Sequence, residues 1–201
     1  MLLGLSLVLV ACGTPKRDLR TKPYVKEAFT MGTYVKITSY DKGHEKDVAA
    51  ALAIAKDYDK KTSVNQSGSE LDEINDQAGI KPVKVSKAVY KLLKDAYDYS
   101  DKQTGFDMMI GAISSLWHIG FDDARKPSQA EIDQALPLVS HRLIEFDDQK
   151  QTVYITKKGA KIDLGAITKG YVSDRMTDYL KDHGVTTAIV DLGSSSLSLI
   201  G

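Results

Sequence analysis

The stretch KIDLGAITKGYVSD, residues 161 to 174, decides how the rest of the chain is read. An apolar run ends in Asp163, a short segment flanked by Gly165 and Gly170 follows, and Lys169 stands where a helical pattern opens. The spacing predicts a strand, a glycine turn and the first turn of a helix. Such a turn can hold a phosphate. A helix N-terminus presents unpaired backbone N–H groups and a partial positive charge, small residues let an anion approach the backbone, and a lysine adds a full charge. Asp163 can reach a sugar hydroxyl or a ring N–H, and a backbone carbonyl such as that of Ala166 suits a hard cation such as Mg²⁺. The same local pattern also serves as a ligand-free structural turn. It is neither a Walker loop, G-x-x-x-x-G-K-[ST], nor the G-x-G-x-x-G dinucleotide fingerprint.

Working outward, the helix that starts near Thr168 should end at Gly184, a C′ glycine, and TAIVDLG (187 to 193) reads as a returning strand. Upstream, AFTMGTYVKITSYD (28 to 41) alternates as a half-buried strand does, and KDVAAALAIAKDYDKKT (46 to 62) places Val48, Leu52 and Ala55 on one helical stripe. Ser67 and Glu70 have capping-box spacing for a short helix that stops before Gly79. Lys81 to Val85 reads as extended, Ser86 caps a helix to about Ser100, and Ser128 with Glu131 forms a second capping box. LIEF-DDQK-QTVYI (143 to 155) reads as a hairpin. Helices and strands mix throughout, so the fold class is α/β to α+β.

Of the 201 residues 42% are hydrophobic, enough for one sizeable core or two small subdomains. Lys plus Arg equals Asp plus Glu at 27 each. With net charge zero and no basic stripe interleaved with aromatics, nucleic acid is excluded as a partner class.

Residues 1 to 12, MLLGLSLVLVAC, form an apolar run too short to span a bilayer, which takes ~20 residues. Leu9-Val10-Ala11-Cys12 resembles a bacterial lipobox, with Cys12 as the lipidated residue, although Met1-Leu2-Leu3 lacks the positive charge of a secretory n-region. Cys12 is the single cysteine, so no disulfide forms within the chain. Residues 13 to 27 are polar, proline-punctuated and locally basic, as a tether is. The expected organisation is therefore a lipobox at 1 to 12, a tether at 13 to 27 and a domain at 28 to 201, extracytoplasmic and held to the membrane by lipid.

Other candidates are weak one at a time. Gly105 and Asp107 suit a helix end and a turn, Trp117 suits the core, and four dispersed histidines suit surface or capping roles rather than metal ligation. In order, however, the chain reads MGT (31 to 33), SVN with SELDEIN (63 to 75), TGFDMMIG with LWHIG (104 to 120), IDLGAITKGYVSD (162 to 174) and AIVDLGSSS (188 to 196). That series resembles the ApbE-like FAD:protein FMN transferases, once described as thiamine-biosynthesis lipoproteins.

The resemblance implies an enzyme that binds FAD, cleaves its pyrophosphate with Mg²⁺, places FMN on a Ser/Thr hydroxyl of an exported acceptor protein and releases AMP. By matched positions it implies FAD contacts from Met31, Gly105, Phe106, Asp107, Asp163 and Lys169, and a metal-binding carbonyl from Ala166. Asn65 falls where the family often carries an aromatic that stacks on the flavin. Relatives with asparagine there hydrolyse FAD to FMN and AMP, so an FAD pyrophosphatase is the alternative, with a non-catalytic flavin-binding lipoprotein as the third. Gly193-Ser194-Ser195 departs from the family's GGN-like stretch. The family's H-x-x-D-P-x-T-G-like segment, with further metal ligands, has no counterpart here, and the final apolar run LSLIG leads to the expectation that the domain continues.

Overall fold

A computed structural model describes residues 19–64, 67–102 and 105–201. Cys12 and Asn65 lie outside these residues.

Two sheets frame the domain. The larger is antiparallel with strand order β1-β2-β6-β7, built from β1 (Leu19–Thr30), β2 (Thr33–Asp41), β6 (Ala188–Leu192) and β7 (Leu197–Ile200). The smaller has order β3-β5-β4, from β3 (Val83–Lys84), β4 (Ile144–Asp147) and β5 (Thr152–Ile155). Val35 and Ile37 on β2, and Ala188, Val190 and Leu192 on β6, are buried. Residues between them, such as Tyr34 and Lys36, face out, which is the period of two that a one-sided sheet requires.

Helices α1 (Glu45–Thr62) and α6 (Thr168–Asp182) cover the buried face and pack on one another. On α1 the buried positions are Val48, Ala51, Leu52, Ala55, Tyr58 and Thr62, the three- and four-residue spacing of a single face. The alanines keep that face small, so α6 approaches closely with Val172, Met176 and Leu180. Helices α2 (Glu70–Asp76), α3 (Lys87–Asp101), α4 (Gly111–Ser114) and α5 (Gln129–Ala135) complete the fold. One continuous core runs through both sheets and both long helices. Burying each of its large aliphatic side chains contributes about 1.5–3 kcal/mol.

Ser86 caps α3, Ser128 and Glu131 form the capping box of α5, and Gly184 ends α6 with φ of 83°. Four expectations are corrected. The stretch 28 to 41 is not one strand but a hairpin, since Met31 (φ 55°) and Gly32 (φ 70°) form a two-residue turn between paired Thr30 and Thr33. Positive φ at both positions matches the turn to the strand twist. Residues 19 to 27 are not tether: they form the first part of β1, paired along β2 from Leu19↔Asp41 to Glu27↔Lys36, and their polar side chains suit a strand at the sheet edge. The α2 cap is Ser69, not Ser67. Ser69 accepts from the Asp72 N–H while the Glu70 carboxylate accepts from the Ser86 N–H. Trp117 is half-buried and stands outside the core.

Candidate functional site

The segment 161 to 167 is not a strand either. Lys161 makes one isolated parallel bridge to Ile110, and the chain then turns directly into α6. The turn is built by its own residues. Thr168 N–H and the Thr168 hydroxyl both donate to the Leu164 carbonyl, at 2.9 and 2.8 Å. No side chain caps the N-terminus of α6, so beyond the Thr168 N–H, which Leu164 takes, its leading N–H groups are not taken up by a capping residue.

This turn is a ridge between two clefts. On one side Leu164, Gly165, Thr168 and Lys169 face Met31, Gly32, Asp59, Thr62, Ser63 and Val64 across a cleft of about 220 Å³. On the other side Ala166, Ile167 and Gly170 border a cleft of about 750 Å³ that is also lined by Tyr99, Lys102, Phe106, Tyr171 and Arg175 and by three carboxylates, Asp95, Asp98 and Asp174. The hairpin tip reaches the smaller cleft because Thr30 donates its hydroxyl to Asp59 Oδ2 at 2.8 Å, tying β1 to α1.

In the larger cleft the Arg175 guanidinium lies 5.2 Å from the Tyr171 ring centre, and Tyr171 packs edge-on against Tyr58. Burial, reinforced by Tyr171 beside it, pushes the Tyr58 phenol well above its ordinary value. Tyr58 is therefore a neutral packing group at neutral pH. Lys169 sits in the first turn of α6 and has no ion-pair partner among the described residues.

The structure gathers Met31, Asp163 and Lys169 around the smaller cleft, and Phe106 and Ala166 around the larger. Gly105 (φ 80°) provides the exposed bend before Phe106. Asp107 lines neither cleft. Its Oδ1 accepts from the Met109 N–H at 2.8 Å, and its Oδ2 accepts from the His141 N–H at 3.0 Å with His141 Nδ1 at 3.3 Å. His141, expected at the surface or in a cap, is a partly buried tie packed edge-on against Tyr97.

The Asp163 carboxylate accepts from the Ser114 hydroxyl at 2.6 Å and the Gly165 N–H at 2.8 Å. Asp59, Asn75, Ser114 and His141 are residues that sequence reading missed as parts of this region. For Asn75 a signal existed in its place at the end of SELDEIN. The other three are commonplace residues in commonplace contexts.

Among the described residues no group of three His, Cys, Asp or Glu side chains forms a metal-ion set. Ala166 offers a carbonyl of the right hardness beside the larger cleft, whereas Asp163 lines the smaller one. These residues do not by themselves make up a magnesium site.

Several known proteins are similar to this chain. The FAD:protein FMN transferase of Treponema pallidum (strain Nichols) is 31% identical over 205 residues, covering 96% of this chain and 57% of that protein. That of Klebsiella pneumoniae (strain 342) is 33% identical over 174 residues, covering 86% and 54%. The crystal structure of the ApbE protein of Thermotoga maritima superposes with a TM-score of 0.79 at 29% identity, over 90% of this chain and 59% of that one. Pseudomonas stutzeri flavinyl transferase ApbE, in its apo form, shares the fold at a TM-score of 0.77 and 22% identity. The chain spans a little over half the length of these relatives. Residues 31–201, from the hairpin turn through the glycine ridge to the last strand, match the ApbE family throughout, and the chain belongs to that family.

Proposed function

We propose that this chain is the FAD-holding part of an FAD:protein FMN transferase. The observation that carries the reading is the ridge formed by residues 164 to 170. An uncapped helix N-terminus with an unpaired lysine stands between two clefts, so a dinucleotide can lay its pyrophosphate on the ridge with one half on each side. The two relatives named as FAD:protein FMN transferases support the same reading.

In the proposed reaction the acceptor Ser/Thr oxygen bonds to the FMN phosphorus. The bridging P–O bond breaks, AMP leaves with the bridging oxygen, and the hydroxyl proton passes to a base. Charge accumulates on the phosphoryl oxygens, so catalysis is chiefly positioning and electrostatic stabilisation. Lys169 and the leading N–H groups of α6 bind and neutralise those oxygens, and the walls of the two clefts orient the nucleotide halves. Magnesium, AMP release and an exported, membrane-side acceptor complete the proposal, with Cys12 as the lipid anchor.

The test is incubation of the protein with FAD, Mg²⁺ and a Ser/Thr-bearing acceptor domain. Covalent flavin on the acceptor with stoichiometric AMP is the expected result. Free FMN plus AMP would make the chain a pyrophosphatase, the outcome that Asn65 favours, and bound but unchanged FAD would leave a flavin-binding protein only.

A further inference from the structure

The Asp163 carboxylate is held at both oxygens. Ser114 donates its hydroxyl to Oδ2 at 2.6 Å, and the Gly165 N–H donates to Oδ1 at 2.8 Å. One residue earlier the side chain of Asn75 stands in for a neighbouring strand. Its Nδ2 donates to the Ile162 carbonyl at 3.0 Å, and its Oδ1 accepts from the Ile162 N–H at 2.7 Å. The Asp163 N–H in turn donates to the Met108 carbonyl at 2.9 Å. Ser114 ends α4 and Asn75 lies in α2, so two elements distant in sequence converge on two consecutive residues. Neither Ser114 nor Asn75 lines either cleft, whereas Asp163 and Gly165 both line the smaller one.

We infer that Ser114 and Asn75 are positioning residues for the ridge. Asn75 sets the backbone of Ile162, and Ser114 sets the rotamer of Asp163 and through it the direction of the Gly165 N–H. The inference rests on the flavin reading for its ligand, not for its geometry. A carboxylate with one oxygen released samples other χ1 wells. Each well places its negative charge at a different distance from a phosphate on the ridge. A backbone N–H that loses its acceptor is no longer aimed. Displacements of this size at a group holding the reacting phosphate weaken binding and turnover far more than they weaken the fold.

The test compares ¹⁵N-labelled wild type with Ser114→Ala, Ser114→Thr and Asn75→Asp. FAD affinity is read from flavin fluorescence, Gly165 amide exchange from NMR, and the unfolding midpoint from circular dichroism. Ser114→Ala is expected to weaken FAD binding about ten-fold and to speed Gly165 exchange, with a small change in unfolding midpoint. Ser114→Thr, which keeps the hydroxyl, restores both. Asn75→Asp keeps the acceptor for the Ile162 N–H but loses the donor, and weakens FAD binding in the same direction. If that variant does not fold, the Ser114 pair decides. Wild-type FAD affinity in Ser114→Ala overturns the inference, whether or not Gly165 exchange has changed. A wild-type protein that does not bind FAD overturns the flavin reading instead. The clamp then stands on faster Gly165 exchange in Ser114→Ala, and unchanged exchange overturns it.

Discussion

Gly193, in the turn between β6 and β7, faces Thr33 at the start of β2 so closely that a Cβ on Gly193 would stand 1.9 Å from the Thr33 Oγ1. The contact packs the turn between β6 and β7 against the tip of the hairpin formed by β1 and β2. Gly193 also has φ of 65°, a conformation that side chains disfavour. Gly193→Ala should therefore destabilise the fold by about 2 kcal/mol or more, measured by urea unfolding. Adding Thr33→Ala removes Oγ1 and Cγ2 but leaves a Cβ 2.8 Å away, so the double variant should recover only part of the loss. An alanine variant as stable as wild type would mean that the hairpins separate at no cost.

Lys169 lines the smaller cleft from the first turn of α6 and makes no ion pair among the described residues. A charge-assisted contact to phosphate is worth roughly 1.5–3 kcal/mol, so Lys169→Ala should weaken FAD binding by about ten-fold or more. Thermal unfolding without ligand should hardly move, because no core packing is lost. Lys169→Arg should rescue in part, since a planar fork does not replace a compact charge. Fluorescence titration of the three proteins decides the matter, and equal affinities would place the phosphate elsewhere.

Asp41 ends β2 and accepts three hydrogen bonds: from the Thr186 N–H at 2.8 Å, the Thr186 hydroxyl at 2.8 Å and the Thr187 N–H at 2.7 Å. Partial burial raises its pKa, but these bonds and nearby His44 outweigh that and hold it below the ordinary carboxylate value. A carboxyl with a depressed folded-state pKa adds stability above its unfolded value of about 3.9, and that stability is lost as pH falls through the folded value. Asp41→Asn should cost about 1 kcal/mol at pH 7, a modest figure because the group is only partly buried and solvent screens it. The gap from wild type should begin to narrow near pH 4 and close only as pH falls through the lower folded-state value, where folded wild-type Asp41 also becomes neutral. Paired urea titrations at pH 7, 5 and 3 give the measurement, and a gap that stays constant with pH would remove Asp41 from the linkage.

Among the described residues no helix is long and apolar enough to cross a membrane. Attachment through Cys12 is a separate proposal resting on Leu9-Val10-Ala11-Cys12. Native protein should fractionate with membranes and Cys12→Ala should not. Identical partition of the two would end the lipid-anchor reading.

The longer helices α1, α3 and α6, and α5 with its capping box, were legible in the sequence because helix formation is governed by residues within four positions of each other. The stripe of Val48, Leu52 and Ala55, the caps at Ser86 and Ser128 and the stop at Gly184 are local features, and each sits where its spacing placed it. The ordered motifs were enough to indicate the family, and with it the part of the chain that carries the ridge.

Other features depended on partners far along the chain. The alternation of residues 28 to 41 is the same for one strand as for two strands joined at Met31-Gly32, and only the pairing of β1 with β2 separates them. The run ending in Asp163 reads as a strand, yet it makes only one isolated bridge, at Ile110, and the backbone of Ile162 is bonded by the Asn75 side chain, 87 residues away. Locally, Asp107 reads as a turn residue and His141 as a surface or capping residue. Asp107 Oδ1 does take the Met109 N–H, and the fold adds what spacing cannot show, a tie from Asp107 Oδ2 to the His141 N–H across 34 residues. Periodicity and capping record the energetics of neighbours in sequence. Which side chain meets a given backbone group across the core is decided only when the sheet, α1 and α6 close on each other.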